Sequence, residues 1–299
     1  MGVMQNDRKR RLTIPIRLPI RLPSRMNWMV VLSISVLIIF IFAAIFPEYL
    51  APHSPRGINL AVSFTPPFFQ EGGTTEYLLG TDQLGRDILS RIIYGARTAL
   101  LVASIGIFFA GIIGTTLGII AGYSGGWVDT VVSRAVDMML ALPTILLAMV
   151  LAIAFGASLL NVAIIICLVY WARYARISRG GTLQIRAMDY VTLSRVAGTS
   201  KLNIILRHIL PNVLSSLIVL ATFEVGTVIT LESTLSFLGV GVPPPAASWG
   251  GMCSDGRDFI TSAWWVSFMP GVAIMLVVLA CNLLGDWVRD RLDPKLRDL

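Results

Sequence analysis

At 299 residues the chain is long enough for a sizeable soluble core, yet 55% of it is hydrophobic and only 14% charged, against roughly 45–50% and about 25% in soluble domains. A water-facing surface needs more charge than that, so the composition excludes an ordinary soluble globule and makes the bilayer the solvent. The net charge of +7 comes with no RNP-like, zinc-finger or helix-turn-helix pattern, which argues against a nucleic-acid partner.

Residues 1–27 form a basic tail in which Pro15, Pro19 and Pro23 forbid a regular helix. The apolar run Trp28–Phe46 is longer than a signal-peptide core and has no small-x-small cleavage site before Pro47, so it reads as an uncleaved first membrane helix. Residues 47–96 are polar and rich in Pro and Gly. From Asp87, Ile88, Ile92 and Ile93 recur at helical spacing and Asp87 faces Arg91 at i,i+4, which predicts an amphipathic surface helix before the chain turns into the membrane.

Apolar runs follow at about 99–122, 128–155, 159–171, 214–237 and 264–287. All but 159–171, the fourth span, are long enough to cross a hydrocarbon core of about 30 Å, and the fourth, short before its arginines begin, needs a tight corner at Gly156–Ser158. Pro143 interrupts the third and Pro270 the last, which membrane helices tolerate. The expected fold is therefore all-α and polytopic, with six transmembrane helices, a core over 97–288 and a short tail, 289–299. Lys and Arg fix the expected orientation. Eighteen fall in the N-terminal tail, the 173–212 segment and the C-terminal tail, and five in the segments between the other ends. By the positive-inside rule both termini are expected in the cytoplasm.

Ionisable residues inside spans are costly, at roughly 2.5–3.5 kcal/mol on insertion scales. Glu224 and Glu232 in the fifth span are thus expected to face the bundle, either lining a translocation path or making a structural hydrogen bond between helices. Asp129 and Asp137 flank Arg134, and local pairing is the expectation there. Arg173, Arg176 and Arg179, at i, i+3, i+6 where the fourth span ends, are expected to anchor in the headgroups. Three cysteines (Cys167, Cys253, Cys281) with no CxxC, and two histidines (His53, His208), suggest neither a metal site nor a disulfide framework.

The cytoplasmic loop 173–212 has its own texture. Val191, Leu193, Val196 and Ala197 suggest a short helix that Gly198 stops, and Thr199 or Ser200 can cap a second helix with Leu202, Ile205, Leu206 and Ile209 at helical spacing. Pro211 is expected to end that helix. An amphipathic helix–Gly–helix outside the bilayer asks for a protein partner.

This loop resembles that of binding-protein-dependent ABC permeases, of the form Glu-Ala-Ala-x3-Gly-x9-Ile-x-Leu-Pro. Thr192, Leu193 and Ser194 stand in the first three places, Gly198 at the glycine, His208 at the isoleucine and Leu210-Pro211 at the end, with the family's interval of thirteen from Gly198 to Pro211. The glutamate and paired alanines are absent. Leu79-Gly-Thr-Asp-Gln-Leu-Gly-Arg-Asp87, Leu235-Ser-Phe-Leu-Gly-Val-Gly-Val-Pro-Pro-Pro245 with Ser248-Trp-Gly250, Asn282-Leu-Leu-Gly-Asp286 and Leu292-Asp-Pro-Lys-Leu296 narrow the resemblance to the second permease subunit of dipeptide, oligopeptide and nickel importers.

The resemblance implies a type I importer domain, multi-pass in a bacterial inner membrane, that forms half of a path for di- or oligopeptides; a nickel-chelate or glutathione importer is the sister reading. It implies a homologous second permease, two ABC ATPase subunits and a solute-binding protein as partners beside the lipid. ATP-Mg would sit on the ATPases, since no GxxxxGK[ST] phosphate loop occurs here and the chain is not expected to be an enzyme or to bind a cofactor. The residues implied to couple to an ATPase are Asp189, Tyr190, Ser194, Arg195, Ala197, Gly198, Leu202, Leu206, Arg207, Leu210 and Pro211. A secondary transporter, the rival class, would show an internal repeat, and none is evident.

Overall fold

The structure, a computed structural model, describes residues 28–292. The basic tail before it, and the motif that continues past Leu292, lie outside the described residues. Every regular element described is helical.

Helix α1 (Trp28–Ile45) leads into a short α2 (Pro47–Leu50) and the irregular segment before α3 (Ile88–Ser124). The expected surface helix and the second span are one element. Asp87 accepts from Ser90 N at 2.9 Å as the N-cap, and nothing between there and Ser124 breaks the helix; Gly95 lies under the Trp249 indole instead. Arg91 turns away from Asp87 and pairs elsewhere, as described below.

Helix α3 packs along its length on α6 (Leu159–Arg186). The reason is a stripe of small residues at four-residue spacing: Gly106, Ala110, Gly114, Gly118 and Gly122. A Cβ on Gly114 would fall 2.2 Å from the Trp171 carbonyl oxygen, and one on Gly118 2.0 Å from Ser178 Oγ. Without side chains in between, the backbones approach closely and dispersion contacts accumulate, which drives helix association where lipid removes the hydrophobic effect. The contacts step from Gly106–Ile166 to Gly114–Tyr174 to Gly122–Thr182, so the two helices run parallel.

Parallel neighbours require the chain between them to return across the membrane. It does so through α4 (Gly126–Ala141) and α5 (Thr144–Phe155), bent by 94° at Leu142-Pro143. The bent pair is thus one crossing. The span expected over 128–155 with an interruption at Pro143 is in fact two helices set nearly at right angles there. With α9 (Leu210–Phe237) and α11 (Trp265–Leu292) there are five long apolar helices, and the bent pair makes six crossings. Helix α6 also exceeds its expected end at Trp171 by four turns, and Arg173, Arg176 and Arg179 all lie within it.

Helices α9 and α11 are antiparallel, with Gly226 against Val278 and Gly285 against the Phe223 ring. Between them α10 (Trp249–Asp255) is N-capped by Ser248, which accepts from Gly251 N. The buried aliphatic core runs through α3, α6, α9 and α11.

Candidate functional site

Helix α7 (Asp189–Val196) and helix α8 (Lys201–Ile204) form at the expected places, joined through Gly198. Gly198 has φ of +81° with open space around it, so the glycine is required by backbone conformation rather than by crowding. Of the two candidate caps, Ser200 does the work: its Oγ accepts from Asn203 N.

The apolar face divides. Val191, Ile204 and Ile209 are fully buried and seat the element on the bundle. Leu193, Val196, Leu202 and Leu206 remain exposed, Val196 by 82%. Covering each fully would contribute roughly 1.5–3 kcal/mol, and the described residues leave them uncovered. Asp189, Ser194 and Arg195 lie on α7, and Arg207 lies in the turn Ile205–Ile209 that follows α8. The Tyr190 ring meets His208 edge-on at 5.8 Å between centroids, which ties α7 to the start of the long helix.

Pro211 does not end the second helix. Residues Ile205–Ile209 form a π turn in which Leu210 N donates to the Ile205 carbonyl, and α9 continues directly from it. Widening the turn makes room for the proline ring, which clashes with the carbonyl four residues back in a regular helix. Lys201–Phe237 is consequently one helix of 37 residues.

Three of the four arginines of α6, Arg173, Arg176 and Arg179, each find a carboxylate, the Arg176 pair at an exposed position. Arg173 Nη1 donates to both Glu224 oxygens at 3.0 and 3.1 Å. Thr227 Oγ1 donates to Glu224 Oε2 at 2.8 Å, and the guanidinium lies 4.8 Å over the Tyr170 ring. Arg176 pairs with Asp137 at 2.7 Å, and Arg179 grips Asp129 through Nε and Nη2, the latter at 2.8 Å. Asp129 and Asp137 therefore pair across helices and not with Arg134. These contacts hold α6 to α9 and to α4.

Glu224 is 3% exposed while the Arg173 side chain is 35% exposed. Glu224→Ala is expected to cost at most the low end of the about 3–5 kcal/mol for breaking a buried pair, because Arg173 keeps some access to polar surroundings. Thermal unfolding of the purified protein measures this. The Arg173→Met, Glu224→Leu double variant should recover most of the loss, and no recovery would refute the pairing.

Glu232 is 1% exposed and accepts from Ser236 Oγ at 2.8 Å. Ser236 Oγ in turn accepts from Val242 N at 3.1 Å, so the carboxyl orders the glycine-rich turn after α9. A cavity of about 700 Å³ is an apolar groove between α3 and α9, with Phe108, Thr116, Tyr174 and Thr222 in its walls. Neither glutamate lines it.

Beyond the first span, the 79–91 stretch builds a clamp whose partners are far apart in sequence. Asp82 is fully buried and accepts from Leu84 N and Arg86 N at 2.9 and 3.0 Å, from Arg86 Nε at 2.6 Å and from Arg91 Nη1. Both arginines also reach Asp255 on α10 at 3.2 Å. Trp265 Nε1 donates to the Thr81 carbonyl and Trp249 Nε1 to that of Ile92. The half-buried Cys253 beside this clamp donates to the Ser267 carbonyl, and burial pushes its thiol up to about 11.

Residues 114–298 match the family described as binding-protein-dependent transport system inner membrane component. The chain belongs to this family. The permease is 45% identical over 267 residues to the dipeptide transport system permease protein DppC of Escherichia coli, covering 89% of each chain. It is 42% identical over 262 residues to the di/tripeptide transport system permease protein DppC of Pseudomonas aeruginosa, covering 88% of this chain and 86% of that protein. Its fold matches a chain of the MetNI methionine ABC transporter in an inward-facing conformation, with a TM-score of 0.55 at 19% identity, over 67% of this chain and 96% of that one. It is a multi-pass inner-membrane permease subunit of a binding-protein-dependent transport system, and its relatives are transporters, not enzymes.

Proposed function

We propose that this permease forms half of the translocation path of an ATP-driven importer of di- and oligopeptides. The observation that carries the substrate class is the identity above 40% along nearly the whole chain to permeases named for di- and tripeptides. In this reading a homologous second permease completes the path, two ATPase subunits bind and hydrolyse ATP-Mg, and a solute-binding protein delivers the peptide. Both termini and the Asp189–Pro211 element face the cytoplasm, in keeping with the lysine and arginine distribution.

The exposed apolar face of α7 and α8 supports the assignment of that element as the ATPase contact. Leu193, Val196, Leu202 and Leu206 present a surface that a soluble partner can cover, and Gly198 sets the angle between the two helices.

The test is uptake of labelled dialanine into proteoliposomes holding this permease with a homologous second permease and two ABC ATPase subunits, with a peptide-binding protein added. Uptake should require ATP and the binding protein, and unlabelled dipeptides should compete. Uptake that proceeds without ATP would point to a secondary transporter, and competition by nickel chelates but not dipeptides would overturn the peptide assignment.

A further inference from the structure

A second cavity, about 470 Å³, opens at the end of the bundle that carries the 47–87 segment. Two helix ends and the cavity wall on α3 give its depth. Helix α1 ends at Ile45, α6 begins at Leu159, and the cavity wall on α3 spans Tyr94 to Leu101. Exposed Phe46 and Tyr49 lie at the same level, as interfacial aromatics do. The cavity therefore sits where headgroups meet acyl chains.

Glu48, Ser54, Arg56, Tyr94 and Arg97 line the cavity, and so do Leu101, one turn on from Arg97 along α3, and Leu159 at the start of α6. Arg56 is exposed and has no carboxylate within ion-pair distance among the described residues. Arg97 is 50% exposed and 3.9 Å from Glu48, itself 74% exposed, a geometry and exposure at which a pair holds its partner only weakly. Two guanidiniums against one loosely placed carboxylate leave the lining cationic.

We propose that this cavity holds the phosphate headgroup of an anionic phospholipid, with its acyl chains running down past Leu101 and Leu159. A planar guanidinium matches phosphate oxygens in a bidentate fork. The site is separate from the coupling element and does not depend on which peptide is carried.

Native mass spectrometry of the full-length permease in detergent, titrated with phosphatidylglycerol or phosphatidylcholine, tests this. Phosphatidylglycerol should be retained on the order of tenfold better, as about 1 kcal/mol per basic residue implies. Arg56→Gln with Arg97→Gln should bring the two lipids level, and Arg56→Lys with Arg97→Lys should keep most of the preference. If the double glutamine variant does not fold, Arg56→Gln alone carries the test, since that side chain is exposed and makes no ion pair to lose. Equal retention of the lipids by the unmodified protein, or a preference indifferent to Arg56→Gln, would overturn the proposal. So would displacement of phosphatidylglycerol by dialanine at millimolar concentration, which would assign the arginines to a soluble carboxylate.

Discussion

Asp82→Ala is expected to destabilise the permease by about 3–5 kcal/mol, the range for removing one partner from a buried ion-pair network. The carboxylate accepts from two backbone amides and two guanidiniums in a position with no solvent access. Alanine leaves Arg86 and Arg91 facing each other with only Asp255, which is 37% exposed and meets each at 3.2 Å. The first consequence should be separation of the 79–91 stretch from α10. Thermal unfolding of the purified protein and limited proteolysis of residues 47–87 read this directly. A loss below about 1 kcal/mol, the scale of a surface pair, would mean that the clamp is not what joins these segments. Arg91→Met placed in the Asp82→Ala background should give back part of the loss, because it removes one of the stranded charges.

Gly198→Val is expected to reduce ATP-dependent uptake by at least about tenfold while the protein still inserts in the membrane. The glycine φ of +81° lies where a β-branched residue is a severe outlier, at about 1–2 kcal/mol for the left-handed conformation alone. Relief comes by rotating α7, only eight residues long, against the long helix that begins at Lys201. That would disperse Leu193, Val196, Leu202 and Leu206 as a single surface. Gly198→Asn supplies the control, because asparagine tolerates the left-handed region and the site has room for it. Asn should transport near the unmodified rate. Equal uptake by the valine variant would separate this turn from energy coupling.

Much of the architecture was legible because hydropathy and helical spacing are local properties. The runs beginning at Trp28, Leu159 and Trp264, the glycine at 198 and the capping serine at 200 all follow from short windows of sequence. What escaped is directional or non-local. A hydropathy window over 128–155 adds up residues without regard to heading, so a 94° bend at Pro143 leaves its total unchanged. Arg173 looked like a headgroup anchor because Glu224 is 51 residues away, and only the packed bundle brings the two together. Pro211 was misjudged for a third reason. The rule that proline ends a helix assumes regular α geometry on its N-terminal side, and the π turn at Ile205–Ile209 removes that assumption. The clamp at Asp82 was visible as a motif, yet its purpose needed Asp255 from the far end of the chain.

That π turn has a mechanical consequence. Because it lets the chain pass Pro211 without a break, Lys201–Phe237 is a single rod of 37 residues, about 55 Å long at ~1.5 Å per residue. Its lower end carries Leu202 and its upper end leads into the glycine turn that Glu232 orders through Ser236. A rod of this length tilted by about 10° around its middle displaces each tip by roughly 5 Å, in opposite directions. A push on one face of the membrane thus arrives at the other as a countermovement of similar size, with no intermediate joint in which it could be lost.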